Sequence, residues 1–244
     1  KMMMVTENKE TAKMLTKARL ISYSQPPKGD LYVGEDVQEL IAYCARVSNP
    51  ANQASHETSE KLIKYLVKHK HWSPLEMASA CIEVDTTRDI AHQIVRHRSF
   101  SFQEFSQRYA DPSAMGDAFT TRECRLQDKT NRQNSIEIEN DPSLVDNLEH
   151  QELIREWGWR QQGVIKATQT AYKWAIDNGI AKEQARCLLP EGLTKTRLYI
   201  NGTLRSWVHY IELRSENGTQ KEHMDVAKEC AVEIAKIFPL LGKL

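Results

Sequence analysis

The stretch Ala80-Cys81-Ile82-Glu83-Val84-Asp85-Thr86-Thr87-Arg88-Asp89-Ile90-Ala91-His92-Gln93-Ile94-Val95 changes its hydrophobic period half-way along. Ala80, Ile82 and Val84 alternate with Cys81 and Glu83, as a half-buried strand requires. Ile90, Ile94 and Val95 then recur at helical spacing, with Thr86-Thr87 placed to cap the helix. A strand that runs straight into a helix points to mixed structure, and the flanking segments continue the pattern. Upstream, Lys17 to Ser24 reads as a strand closed by the turn residues Gln25-Pro26-Pro27-Lys28-Gly29-Asp30. Asp36 caps a helix with Val37, Leu40, Ile41 and Cys44 on one stripe, ended by Pro50. A second helix begins near Ser59, turns Leu62, Ile63, Leu66 and Val67 inward, and stops before Pro74, leaving His71-Trp72-Ser73-Pro74-Leu75-Glu76 as a loop.

Downstream, Leu153, Trp157, Val164, Ala167, Ala171 and Trp174 form the inward stripe of a long helix over Glu152 to Asn178, closed by Gly179. Thr194 to Ile200 alternates as a short strand, and Asn201 caps a helix from Gly202 to Arg214. Thr219-Gln220-Lys221-Glu222 has the form of a capping box ahead of a last helix carrying Ala227, Cys230, Ala231, Ile234 and Ile237. Residues 111–150 are polar, include Arg122, Arg125 and Arg132, and hold no sustained period. They read as a long excursion of the kind used for lids or subunit contacts. The resulting fold class is α+β, a single domain over 1–244. About four strands form a small, mostly antiparallel sheet packed by several helices, and residues 1–16 are a flexible lead-in.

The chain has 33 Lys plus Arg against 33 Asp plus Glu, a formal net charge of zero, and 40% hydrophobic residues. This excludes a disordered chain and argues against a nucleic-acid module, which carries a basic excess. None of the 10 glycines stands as Gly-x-Gly, so neither a dinucleotide-binding turn nor a Walker loop is available, and a bound nucleotide must be held by side chains. Surface scaling gives a folded chain of this mass about 11,000 Å² of accessible surface. No apolar run approaches the roughly 20 residues of a membrane span, and the first residues turn polar too early for a signal peptide, so the expected location is cytoplasmic. The 5 cysteines include no Cys-x-x-Cys and are expected as reduced thiols in or near the core. The histidine spacings support no metal site.

The densest polar stretch is Gln93-Ile94-Val95-Arg96-His97-Arg98-Ser99-Phe100-Ser101-Phe102-Gln103-Glu104-Phe105-Ser106-Gln107-Arg108-Tyr109. Arg and His in a last helical turn complement the helix dipole, which is the plainest reading of Arg96-His97-Arg98. A basic nucleic-acid patch is another. Phe100, Phe102 and Phe105, however, require burial, which sets the arginines against apolar walls. That arrangement suits a planar anionic ligand, because guanidinium pairs with phosphate through its fork and stacks through its face.

Arg96-His97-Arg98, seven residues, then Ser106 resembles the signature of the flavin-dependent thymidylate synthases, a family unrelated to the cysteine-dependent enzymes. The resemblance extends through Glu104, Arg108 and Tyr109. It also covers Ala45-Arg46-Val47-Ser48, His71 to Glu76, Gln184-Ala185-Arg186, Leu189-Pro190, and Leu204-Arg205-Ser206-Trp207 to Leu213-Arg214. It implies a homotetramer with active sites between subunits, FAD held non-covalently, and conversion of dUMP to dTMP. Methylenetetrahydrofolate would be the carbon donor and NADPH the reductant. By the same resemblance, Ser73, Arg96, His97, Arg98, Glu104, Arg205 and His209 bind FAD. The dUMP site is Gln93, Arg96, Glu104, Ser106, Arg108, Arg186 and Arg214, and His71 serves the folate step. The chain departs from its relatives at His92, where Arg is usual, and at Met77 and Gly218, where some have His.

Elementary chemistry bears on these roles. Arg108 and Arg186 suit bidentate phosphate contacts, and in an extended segment Ser106 and Arg108 point the same way and share one phosphate. Arg96 or Arg98 beside a flavin ring favours its reduced form. Arg214, a permanent cation, stabilises the pyrimidine anion that makes C5 reactive. Ser106 as a covalent nucleophile stays open but needs a base, for which Glu104 is the neighbour. Cys187 as a thiolate nucleophile also stays open against the reading of an inert buried thiol. Two other functions compete: a same-fold enzyme acting on a modified pyrimidine nucleotide or leaving a hydroxymethyl product, and nucleic-acid binding through the Arg-His-Arg patch.

Overall fold

In the computed structural model, which describes residues 16–243, the period change at Thr87 is a strand passing into a helix with no intervening loop. Strand β2 (Ser79–Thr87) ends where helix α3 (Arg88–Ile94) begins. Ala80, Ile82 and Val84 are fully buried, as the alternation requires. β2 pairs antiparallel with β1 (Lys17–Tyr23) on one side and β6 (Lys195–Thr203) on the other. β3 (Ser101–Glu104) joins the far edge of β6, so the sheet order is β1-β2-β6-β3, antiparallel throughout. Opposite Ile200 and Leu198 in register, Ile82 and Val84 line one face of the sheet.

That face is covered by α1 (Val37–Ala45), α7 (Leu204–Arg214) and α8 (Lys221–Ala235), with α2 (Ser59–Lys68) behind α1. Asp36 caps α1 as expected, its carboxylate accepting from Glu39 N at 2.8 Å. The helix ends at Ala45, ahead of Pro50, which starts a separate 3-10 turn. Trp207 is fully buried, and its Nε1 donates to Ala80 O at 3.0 Å. This bond satisfies the one polar group that burying an indole introduces. The other face of the sheet is polar. Glu83, buried despite its place in the alternation, accepts from Arg19 and Tyr199, and Asp85 holds Arg197 at 2.6 Å.

Several expectations are corrected. β6 continues through Thr203, whose hydroxyl accepts from Ser206 N at 3.3 Å, so Thr203 and not Asn201 caps α7. Gln220 precedes α8 without a capping bond, and Glu222 turns inward to Arg122 and Arg125, so the capping box does not form. Thr87 stands at the start of α3 but spends its hydroxyl on Asp89 at 2.6 Å instead of on a backbone N–H. Residues 73–77 form a 3-10 turn within the expected loop.

The excursion is structured. It holds a hairpin of β4 (Arg125–Gln127) and β5 (Ser135–Glu137), then the short α4 (Pro142–Val145). The long helix, α5, runs Leu148–Asp177 and buries Gln161, Ile165, Thr168, Tyr172 and Ala175. Leu153, Val164, Ala167 and Trp174, expected inward, lie on its exposed side with Trp159, while Trp157 turns to the excursion and donates its Nε1 to Arg122 O at 3.0 Å. Cys124 and Cys230 are buried as expected, but Cys187 is exposed, which removes the reading of a buried thiol there. Expectations for residues 1–15, and so for most of the lead-in, lie outside the described residues.

Candidate active site

The Arg96-His97-Arg98 triplet follows the end of α3 in a tight turn, with His97 N donating to Ile94 O at 3.0 Å and Phe100 N to His97 O at 3.3 Å. Phe100 pins that turn to the core, its ring 4.7 Å from Trp207 and 5.7 Å from Tyr210. Phe102 and Phe105 are half-buried. Arg96 and Arg98 are exposed and form no ion pair among the described residues. His97 is half-buried and takes a hydrogen bond on Nε2 from Arg214 Nε at 2.9 Å. Burial and the Arg214 charge both hold its pKa below the usual imidazole value. The ring is therefore neutral with its proton on Nδ1, and it orients the guanidinium that terminates α7.

A second group forms where residues 71–77 meet α7. Arg205 Nη1 holds Glu76 at 2.6 Å, and Trp72 packs edge-on against His209 at 4.5 Å, with Ser73 exposed beside them in sequence. His71 reaches this region through a helix end with an unusual backbone. Lys70 adopts φ 59, and His71 N donates to Leu66 O at 2.8 Å. A left-handed non-glycine residue costs about 1 kcal/mol or more, so the closing bond at His71 fixes a strained turn that presents the imidazole in solvent.

The third group lies past β3. Glu104 accepts from Arg88 and, at 2.9 Å, from Thr196 Oγ1. Residues 106–110 then form a turn, with Tyr109 N and Ala110 N both donating to Ser106 O at 3.1 Å. The segment is not extended, so Ser106 and Arg108 do not share a side through strand pleating; Gln107 is the buried residue between them. Arg108 faces Glu183 of α6 (Lys182–Ala185) at 3.8 Å, and Arg186 follows α6, exposed. With Glu104 engaged by Arg88 and Thr196, no base reaches the Ser106 hydroxyl among the described residues.

Gln93 belongs with the first group through residues that the sequence reading missed. It donates to Gln220 Oε1 at 2.8 Å and meets His223 Nδ1 at 3.3 Å. Glu222, next to His223, is buried between Arg125 Nη2 at 2.6 Å and Arg122 Nη1 at 3.4 Å; Arg122 also bonds Asp89 at 2.7 Å. This cluster fastens the excursion to α3 and α8. Removing one partner of such a buried pair costs about 3–5 kcal/mol, because the other charge is left unpaired. A signal for His223 is present: it sits one turn before Ala227 on the buried stripe of α8 that continues through Cys230 and Ile234. No hydrogen bond or ion pair joins the three groups within one chain among the described residues.

The family model described as thymidylate synthase complementing protein matches residues 31–240. A probable flavin-dependent thymidylate synthase of Paramecium bursaria Chlorella virus 1 is 43% identical over 228 residues, covering 93% of this chain and 97% of the relative. The chain belongs to the flavin-dependent thymidylate synthase family. A second member, from Synechocystis sp., is 40% identical over 231 residues, covering 93% of this chain and 94% of its own. The fold is also that of the UMP/dUMP methylase PolB from Streptomyces cacaoi bound with 5-Br dUMP, with a TM-score of 0.71 at 24% identity and 93% of each chain covered.

FAD is the cofactor of this family and methyl transfer its chemistry. Of the three positions expected to differ from the family pattern, Gly218 takes φ 96 in the turn between α7 and α8, a backbone that favours glycine. His92 is exposed, 3.5 Å from Glu191, and Met77 is exposed. Among the described residues, no helix is long and apolar enough to cross a membrane.

Proposed function

We propose that the protein makes dTMP from dUMP at a site assembled from these three groups, with methylenetetrahydrofolate as carbon donor and NADPH as reductant. The observation that carries this reading is the bond from Arg214 to a neutral His97, which ties the signature triplet to a fixed cation at the end of α7. When bound, FAD supplies the hydride that turns the transferred carbon into a methyl group. The donor set fits that cofactor. Arg96 and Arg98 have no acidic partner among the described residues and suit its two phosphates, while Trp72, His209, Ser73 and Arg205 offer ring contacts, a hydroxyl and a further cation.

The remaining roles follow from charge and exposure. Arg108 and Arg186, both exposed, meet the dUMP phosphate with Ser106, Arg108 leaving Glu183 to do so. Gln93 and Glu104 fix the nucleoside. Arg214 stabilises the anion formed when the uracil N3 proton leaves, which raises electron density at C5; His97 keeps it aimed. His71, exposed on its strained turn beside the rings of Tyr65 and His69, serves the folate step. The exposed apolar side of α5 supports an assembly of several copies, a homotetramer in which groups from different subunits complete one site.

The test is incubation with dUMP, methylenetetrahydrofolate, NADPH and FAD, followed by mass spectrometry of the nucleotide, with UMP as a competing substrate because the structural neighbour is described as acting on both. dTMP is expected from a yellow protein. A hydroxymethyl nucleotide, preference for UMP, or a protein that takes up no FAD overturns the reading.

A further inference from the structure

The first group contains a hydrogen-bond chain whose direction is fixed from one end. Glu222 is an ionised carboxylate held by Arg122 and Arg125, so it only accepts. Gln220 therefore presents its Nε2 to Glu222 Oε2, at 3.0 Å, and its Oε1 to Gln93 Nε2, at 2.8 Å. This leaves Gln93 Oε1 as the acceptor for His223 Nδ1, at 3.3 Å. With its proton on Nδ1, His223 accepts on Nε2 from the Tyr210 hydroxyl, at 3.1 Å. His223 and Tyr210 are buried, so both groups stay neutral and neither can reverse the chain by ionising.

We propose that His223 is a positioning residue for Gln93, holding its side-chain amide in one of two possible orientations so that a fixed donor and a fixed acceptor face the nucleotide. The inference rests on the reading of Gln93 as a dUMP ligand. After its bonds to Gln220 and His223, the Gln93 amide keeps one N–H and one carbonyl lone pair unspent, and Gln93 is only half-buried. If the amide turned over, its N–H group would face His223 Nδ1–H and its carbonyl would face Gln220 Oε1, two repulsive contacts in place of two bonds. Glu222 and Gln220 thus set the polarity, and His223, bonded on its other ring nitrogen to Tyr210, holds the Gln93 carbonyl to it without touching the nucleotide.

The experiment measures dUMP affinity by calorimetry on the FAD-loaded enzyme for Gln93→Ala, His223→Leu, their double variant and His223→Gln, with FAD content and Tm recorded for each. Gln93→Ala is expected to weaken dUMP about tenfold, the scale of one or two lost hydrogen bonds. His223→Leu should weaken it by a similar factor, and the double variant should be no weaker than Gln93→Ala. His223→Gln should restore most of the affinity, since its amide can accept from Tyr210 and donate to Gln93. If the two single effects multiply in the double variant, His223 does not act through Gln93; the inference fails while the substrate role of Gln93 stands. If Gln93→Ala binds dUMP normally, that role fails and the inference with it. Should His223→Leu not fold, Tyr210→Phe removes only the hydroxyl. It should weaken dUMP about threefold with Gln93 present and have no effect in the Gln93→Ala background. An equal effect in both backgrounds overturns the proposal.

Discussion

Replacing Gly202 by Ala would place a Cβ 2.3 Å from Phe100 Cδ1 and 2.6 Å from its Cε1. Neither separation is tolerable, so one partner must move. The Phe100 ring has little room, because it already stands 4.7 Å from Trp207, which is fully buried, and 6.2 Å from Phe102. Gly202 is itself fixed in register, opposite Ala80. Overpacking of this kind costs about 1–3 kcal/mol. For a chain of this length each kcal/mol lowers Tm by about 2–4 °C, so a fall of roughly 2–12 °C is expected. Phe100 lies two residues after Arg98, so FAD content per protomer should fall as well. Thermal denaturation of the apo protein and flavin absorbance of the loaded protein measure the two effects. Phe100→Leu in the same chain should recover part of the Tm lost to Gly202→Ala. Strictly additive losses, or an unchanged Tm in the single variant, would refute the steric account.

Arg214→Ala should reduce turnover at least a hundredfold, about 2.7 kcal/mol of lost transition-state stabilisation, while FAD content stays near normal; equal loss of both contradicts the assigned role. Burial first, and then the Arg214 charge beside it, hold His223 at a pKa of about 3 against an ordinary 6.5. The unfolded chain therefore binds a proton that the native protein refuses, and stability is lost as pH falls from about 6.5 toward 3, by up to about 1.4 kcal/mol per unit from this residue. Urea unfolding between pH 7 and 5 should show a flatter profile for His223→Gln than for the wild type, and parallel profiles would remove the assignment. Glu222 acts in a separate window: burial would raise its carboxyl, but the Arg125 hydrogen bond and the two arginine charges outweigh this and hold it below the usual 4.5, so its contribution is lost only as pH falls below that value. Gly163 has open space where a Cβ would stand, on the exposed side of α5. Gly163→Ala should raise protomer helix stability by about 0.5–1 kcal/mol yet lower the assembly mass in sedimentation; a raised Tm with unchanged mass would mean that no second copy packs closely there.

The residues that were legible in sequence are those whose environment is set by their own element. β1, α1, α2 and the α3 region follow from apolar spacing, and Asp36 from the capping rule. The long helix was found but its inward side was not. Leu153, Val164 and Trp174 belong to the stronger apolar stripe, and hydrophobicity does not distinguish a face that packs on its own chain from one that is free to meet another. The excursion failed for a related reason. Arg122, Arg125 and Glu222 are far apart in sequence and polar, and only the fold brings them into one buried cluster. Of the site, the motif residues were visible as types and spacings. His223, Tyr210 and Arg88 were not, because their roles depend on partners contributed by other elements. The turn at Ser106 to Ala110 likewise comes from a backbone bond pattern that alternation along the chain does not encode.

The two loop-free junctions, β2 into α3 at Thr87 and β6 into α7 at Thr203, bear on how the pocket responds to ligand. The paired strands run side by side for nine residues, Ser79–Thr87 against Lys195–Thr203. Each acts as a stiff root for a helix that carries site groups: Gln93 near the end of one, and Arg205, His209 and Arg214 along the other. Backbone that is already ordered loses little freedom when a nucleotide arrives, so more of each contact is retained as affinity. Any adaptation to differently shaped ligands then falls to the parts without such roots, the turn at Ser106 to Ala110 and the exposed arginines.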